Sequence, residues 1–184
     1  MRLVSLTFFI FLCACQSLNS QNENSPYYQI PAGSTLTLNK EIDIPAGKAA
    51  VYIQNGQIVE SSGQVHEYDA YCKLEMRAIK DVPQPVKADQ FVILKAKQET
   101  RLSRADFMLL ASNNLRLLAG KMDGGPSQKL QATLLDLRSE KQPEVFRLTC
   151  QRWDTRTTVS TPLTVSEIRK ALSDVFALKL AGGG

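Results

Sequence analysis

Short segments in which apolar and polar residues alternate, bounded by turn residues, constrain the fold of this chain more than any other feature. The clearest is residues 71–77, where Cys72 is the first of three apolar residues that alternate with charged ones. Because successive side chains of a β-strand point to opposite faces, this pattern predicts a half-buried strand with its cysteine on the core side. Residues 129–138 and 144–153 predict two more strands.

Turn residues separate the apolar segments in the first third of the chain. Asn55 and Gly56 lie between two such segments, and this dipeptide predicts a two-residue type I′ hairpin. The sequence Ile-Pro-Ala-Gly occurs at residues 30–33 and again at residues 44–47, and its proline suits the second position of a β-turn. Two copies are too few for a solenoid, so we expect two similar strand-turn-strand units within one sheet.

Helix signals are concentrated near the C-terminus. Thr164 and Glu167 have the spacing of a capping box, and Leu163 with Ile168 has that of a hydrophobic staple, which together predict the start of a helix. Residues 103–118 fit either a helix or two strands, and we favour strands. The chain is therefore expected to be mainly β, an antiparallel sandwich or barrel-like sheet of about eight strands with one C-terminal helix.

Composition is that of an ordinary globular protein. Of 184 residues, 43% are hydrophobic and 22% are charged, which at this length predicts a single domain. The net charge of +4 is spread along the chain, and no stretch of five or more basic residues occurs. We therefore expect no nucleic-acid partner.

The N-terminus consists of Arg2, an apolar run, and the sequence Leu-Cys-Ala-Cys at residues 12–15. This sequence resembles the lipobox of bacterial lipoproteins, which implies that Cys15 carries a diacylglycerol and that residues 1–14 are removed as a signal peptide. An ordinary secretory signal requires small residues at −3 and −1, where Leu12 fits poorly. A membrane-spanning helix requires about twenty apolar residues, more than this segment contains.

The lipobox also implies a location. Gln16 follows Cys15, and by the sorting pattern of Gram-negative lipoproteins this favours the periplasmic face of the outer membrane. Residues 15–26 are polar and cannot offset the entropy of ordering, so they predict a flexible tether. We expect one β-rich periplasmic domain over residues 27–181 and a disordered tail at residues 182–184.

Two cysteines remain once Cys13 is removed and Cys15 is lipidated. In an oxidising periplasm, Cys72 and Cys150 predict a structural disulfide, with two buried free thiols or a metal site as alternatives. A zinc site lacks ligands because the chain has a single histidine and no CxxC motif. Trp153 follows Cys150 by three residues and is expected to pack against the bridge.

The only titratable cluster is a polar loop that contains Ser62, His66 and Asp69. These residue types are those of a catalytic triad, but three residues so close in one loop rarely reach the required geometry. No calcium-binding or phosphate-loop spacing is present either. We therefore predict no catalytic residues, no metal and no cofactor, and treat this loop as a possible interaction surface.

Several segments together resemble an uncharacterised group of small proteobacterial envelope lipoproteins; they are the Ile-Pro-Ala-Gly turn before a strand and residues 51–56, 71–77, 125–127, 143–153 and 163–172. In that group only the lipobox has a known chemical role, so the resemblance implies location and not activity. We expect a non-enzymatic domain, held to the membrane through Cys15, that docks onto another envelope protein. The alternative is a module that inhibits a lysozyme-like or other hydrolase, with the loop between Ser62 and Asp69 as its nearest inhibitory element.

Overall fold

The computed structural model describes residues 22–102, 128–154 and 160–182. In these ranges it contains ten strands, one α-helix and one short 3₁₀ turn. The strands are β1 Thr35–Leu38, β2 Ile42–Ile44, β3 Ala50–Gln54, β4 Gln57–Val59, β5 Tyr71–Met76, β6 Gln84–Val86, β7 Asp89–Leu102, β8 Lys129–Arg138, β9 Val145–Asp154 and β10 Phe176–Lys179, and the helix is α1 Val165–Leu172.

Eight of the strands form one antiparallel sheet in the order β10-β1-β7-β8-β9-β5-β3-β4. The sheet curls into a half-barrel, and β2 pairs with β6 in a separate two-stranded sheet. Antiparallel pairing leaves one face free for water, as the alternation of apolar and polar residues requires. The predicted barrel-like β fold with a C-terminal helix is confirmed.

The hydrophobic core lies on the inner face of the half-barrel, where α1 covers it. Along β5, Cys72, Leu74 and Met76 are buried, as the alternation predicted. Full burial of an aliphatic or aromatic side chain contributes about 1.5–3 kcal/mol. The largest completely enclosed side chains are Leu36, Ile44, Ile53, Leu74, Phe91, Ile93, Leu135 and Leu148.

Helix α1 begins as the sequence predicted. The Thr164 hydroxyl accepts a hydrogen bond from the Glu167 amide at 3.1 Å, and the Glu167 carboxylate accepts one from the Thr164 amide at 2.8 Å. Leu163 and Ile168, the predicted staple, are both buried. This start fixes which side of the helix faces the sheet.

The predicted type I′ hairpin joins β3 to β4 and also contacts the helix. Asn55 and Gly56 have φ angles of 49° and 77°, the positive values that this turn requires. The Gly56 amide donates to the Ala171 carbonyl at 3.1 Å, so the turn is tied to the C-terminal end of α1.

Replacing Gly56 by Ala is expected to lower the free energy of unfolding by about 2 kcal/mol. A Cβ atom there would lie 2.9 Å from Asp174 Oδ1 and 3.0 Å from Ser173 Cβ, at a φ that non-glycine residues rarely adopt. Urea unfolding measures the change. Gly63→Ala is the matched control, because its nearest atom would be Ser61 Oγ at 3.9 Å. Equal stabilities of the two variants would contradict this account of the turn.

The two Ile-Pro-Ala-Gly turns differ from the prediction in the place of their proline. The Ser34 amide donates to the Pro31 carbonyl, and the Lys48 amide donates to the Pro45 carbonyl. Proline is therefore the first residue of each turn and not the second, because the glycine must occupy the third position, where φ is positive. The strands that follow, β1 and β3, belong to the same sheet but are not neighbours.

The expectations for the signal peptide, for lipidation of Cys15 and for residues 103–118 fall on positions outside the described residues. Among the helices of the described ranges, none is long and apolar enough to cross a membrane.

Candidate functional site

The β4–β5 loop, residues 60–70, is held in place by the side chain of Gln54. Its amide nitrogen donates to the His66 carbonyl and its amide oxygen accepts from the His66 amide, both at 2.9 Å. The pair of bonds imitates the pairing between two strands. Gln54 ends β3, so the position of the loop is set by the main sheet.

Further hydrogen bonds fix both ends of this loop. At its start, Gln64 Oε1 accepts from the backbone amides of Glu60 and Ser61 at 3.1 and 3.2 Å. Near its end, the Glu67 carbonyl accepts from the Trp153 amide on β9 at 2.8 Å. The backbone of the β4–β5 loop is therefore ordered although most of its side chains are exposed.

Of the three predicted loop residues, the structure brings two together. His66 Nδ1 lies 3.1 Å from Asp69 Oδ2, and the two side chains are 67% and 68% exposed. Ser62 lies in the single 3₁₀ turn Ser62–Gln64. Within the described residues no hydrogen bond or ion pair joins the Ser62 side chain to His66 or Asp69.

Two tyrosines, one in the loop and one just after it, lie in different environments. Tyr68 is 41% exposed, its ring lies edge-on to that of His66 at 6.0 Å, and its hydroxyl accepts from Gln128 at 3.2 Å. Tyr71 is buried, and burial raises the pKa of its phenol although a hydrogen bond from Gln151 acts in the opposite sense. Tyr68 is thus the tyrosine of this region that is available to another molecule.

Cys72 and Cys150 are directly opposite each other on β5 and β9, with their sulfur atoms at disulfide-bonding distance. Trp153 does not lie beside them, contrary to expectation. Successive side chains of a strand point to opposite faces, so residues three positions apart lie on opposite sides. Trp153 therefore faces the outer side of the sheet, whereas Cys150 faces the core.

A small cavity of about 160 Å³ opens where the β4–β5 loop meets helix α1. The loop contributes Tyr68 and Asp69, and the hairpin turn contributes Asn55. Glu167 and Lys170 come from one side of α1, three residues apart on adjacent turns. The cavity therefore combines four charged groups, the fourth being Arg152 of β9.

Arg152 is not among the site residues that the sequence predicted, although its position in the alternating pattern of β9 marks it as unusual. It follows Cys150 by two residues, so the alternation places it on the core face of β9, where it is only 7% exposed. A charged residue at a core position is rarely buried without a partner. Its partner Glu167 lies 3.5 Å from Nη1, but sequence alone could not show that α1 places Glu167 beside β9.

In the ranges 22–102, 128–154 and 160–182, no three or more His, Cys, Asp or Glu side chains are grouped so that they could hold a metal ion. Comparison of the chain with protein-family models, with curated proteins and with solved structures found no match.

Proposed function

We propose that this protein is a non-enzymatic lipoprotein, anchored through Cys15 at the periplasmic face of the outer membrane, whose β domain docks onto another envelope protein. The observation that carries docking is the β4–β5 loop, which presents exposed Tyr68 and His66 side chains on a backbone fixed by hydrogen bonds. A fixed loop loses little conformational entropy on binding, and tyrosine is enriched at protein interfaces.

The proposed anchor would keep the β domain close to the membrane. Glu23, within the proposed tether, forms a 3.1 Å ion pair with Arg169 of α1. The eight residues that follow Cys15 up to Glu23 span at most about 28 Å when extended. A lipid on Cys15 would therefore keep the domain near the membrane, and the proposed partner is a protein at or in that membrane.

Tyr68→Ala is expected to reduce capture of the partner at least tenfold, since tyrosines at the centre of an interface often contribute about 2 kcal/mol or more. The measurement is cross-linking and co-purification of the tagged full-length protein from gently solubilised envelopes, with quantitative mass spectrometry. Tyr27→Ala is the matched control, because Tyr27 is 59% exposed but lies outside the loop.

One dominant envelope protein that is cross-linked to residues 60–70 and lost only in the Tyr68 variant would support docking. Recovery of the protein alone, or equal capture by both variants, would contradict it. Inhibition of lysozyme by the purified protein in a lytic assay, lost with Tyr68→Ala, would instead favour the inhibitor alternative that the sequence left open.

A further inference from the structure

The β3–β4 turn contains the one Asn-Gly dipeptide of the chain, at residues 55 and 56. The asparagine of such a dipeptide is prone to spontaneous deamidation, because glycine has no side chain to hinder attack by its own backbone nitrogen. Asn55 is exposed at the tip of the hairpin, where water is available to complete the reaction. Reactivity at Asn55 therefore depends on whether the Gly56 nitrogen is free to attack.

Helix α1 holds that nitrogen in place. The Gly56 amide donates to the Ala171 carbonyl at 3.1 Å, and this bond engages the hydrogen that the nitrogen must lose when it attacks. Gly56 is itself buried, and a Cβ atom on it would lie only 3.0 Å from Ser173 Cβ. The turn thus lies directly against the C-terminal end of α1, with little room for its backbone to move. Gly56 can attack only after the hairpin and the helix separate locally.

We infer that Asn55 is a modification site that is closed while α1 contacts the hairpin and reacts when this contact opens. In the reaction the Gly56 nitrogen forms a bond to Asn55 Cγ, the Cγ–Nδ2 bond breaks, and ammonia leaves with the proton that Gly56 gives up. Water then opens the resulting succinimide ring at either of its carbonyls, which gives aspartate or isoaspartate. Water is the only other reactant.

Isoaspartate would make the separation of the hairpin from α1 permanent. It routes the main chain through the former side chain of Asn55 and so adds a carbon atom to the backbone of the turn. A two-residue type I′ turn has a fixed geometry, and the Gly56 amide would no longer meet the Ala171 carbonyl. Deamidation would therefore record that α1 had left the hairpin.

The experiment incubates the full-length protein in detergent micelles at mildly alkaline pH. Mass spectrometry of the peptide that contains Asn55 follows deamidation, and chromatography separates aspartate from isoaspartate. The reference is the same protein unfolded in urea. We expect deamidation to be at least fivefold slower in the folded protein, because a hydrogen bond of ordinary net strength corresponds to about that factor.

Ala171→Gly weakens the helical turn that supplies the carbonyl, and it should raise the rate of deamidation about fivefold. Ala132→Gly is the matched control, because Ala132 is equally buried but lies on β8, three strands away from β3. Both substitutions lower the free energy of unfolding, but only the first loosens the contact with Gly56. Hydrogen exchange of the Gly56 amide should rise together with deamidation. The wild type in urea below its unfolding transition provides the same comparison if Ala171→Gly does not fold.

Two results would overturn the inference. Equal rates of deamidation in the folded and the unfolded protein would mean that the hydrogen bond to Ala171 does not protect Asn55. An equal rise in the Ala171 and Ala132 variants would mean that the reaction requires global unfolding and not local separation of the hairpin from α1. Neither measurement needs an envelope partner, so failure of this inference would leave the docking proposal standing.

Discussion

Replacing Cys72 and Cys150 together by Ala is expected to lower the free energy of unfolding by about 4 kcal/mol. The two residues are separated by 78 positions, and a cross-link of that span removes much of the conformational freedom of the unfolded chain. Domains are typically stable by only about 5–15 kcal/mol, so the loss is a large fraction of the total.

The location of the two cysteines adds to this effect. Both are completely buried on the inner face, where Leu74 and Leu148 form the next cross-strand pair. Two alanines there would leave unfilled space between β5 and β9, because the surrounding core side chains relax only partly.

Urea unfolding without reductant measures the difference between the wild type and the double variant. Reductant should lower the free energy of unfolding of the wild type by a similar amount. It should leave the double variant unchanged, so this variant is the control for other effects of the reductant. A loss below about 1 kcal/mol, or a wild type that does not respond to reductant, would mean that the bridge does not constrain the unfolded chain.

The parts of the fold that sequence predicted are those that short-range physics determines. Asn55 and Gly56 specify their turn because few other dipeptides tolerate two positive φ angles, and Thr164 with Glu167 specifies a helix start through mutual hydrogen bonds. The alternation along β5 specifies which side chains enter the core. Each of these features requires only neighbouring residues.

Strand order and the cavity could not be predicted in this way. β7, β8 and β9 are adjacent in the sheet in chain order, but β9 then pairs with β5, which is far from it in the chain. This return brings Arg152 beside the β4–β5 loop, and α1 then adds Lys170. No local pattern contains that information. The position of Trp153, by contrast, follows from sequence. Residues three positions apart on a strand point to opposite faces, so Trp153 cannot share a face with Cys150.

Local sequence also predicts only part of the arrangement of the loop residues Ser62, His66 and Asp69. His66 and Asp69 are three positions apart and one turn brings them together, so their proximity could be expected from sequence. Ser62 belongs to a separate 3₁₀ turn, which the Gln64 side chain ties to the backbone amides of Glu60 and Ser61. Sequence proximity therefore does not show how Ser62 lies relative to the other two residues, because Gln54 of β3, outside the loop, holds the backbone at His66.

Replacing Cys15 by Ala is expected to move the protein from the membrane fraction to the soluble fraction without changing the fold of the β domain. A single acyl chain gives only weak membrane binding, with an association constant of about 10⁴ M⁻¹, but each buried methylene adds about 0.8 kcal/mol. The several chains that lipoproteins carry would make attachment effectively permanent. The apolar part of residues 1–14 is too short to replace them, since a spanning helix needs about twenty residues.

Cys13→Ala is the matched control, because it changes the neighbouring cysteine of the same tetrapeptide but leaves the proposed attachment site intact. Carbonate-washed membranes should retain the wild type and the Cys13 variant and should lose most of the Cys15 variant. Intact-mass measurement should find an acylated chain that begins at Cys15 in the two retained proteins. Equal retention of both variants would contradict lipidation at Cys15, and the docking partner would then have to be sought away from the membrane.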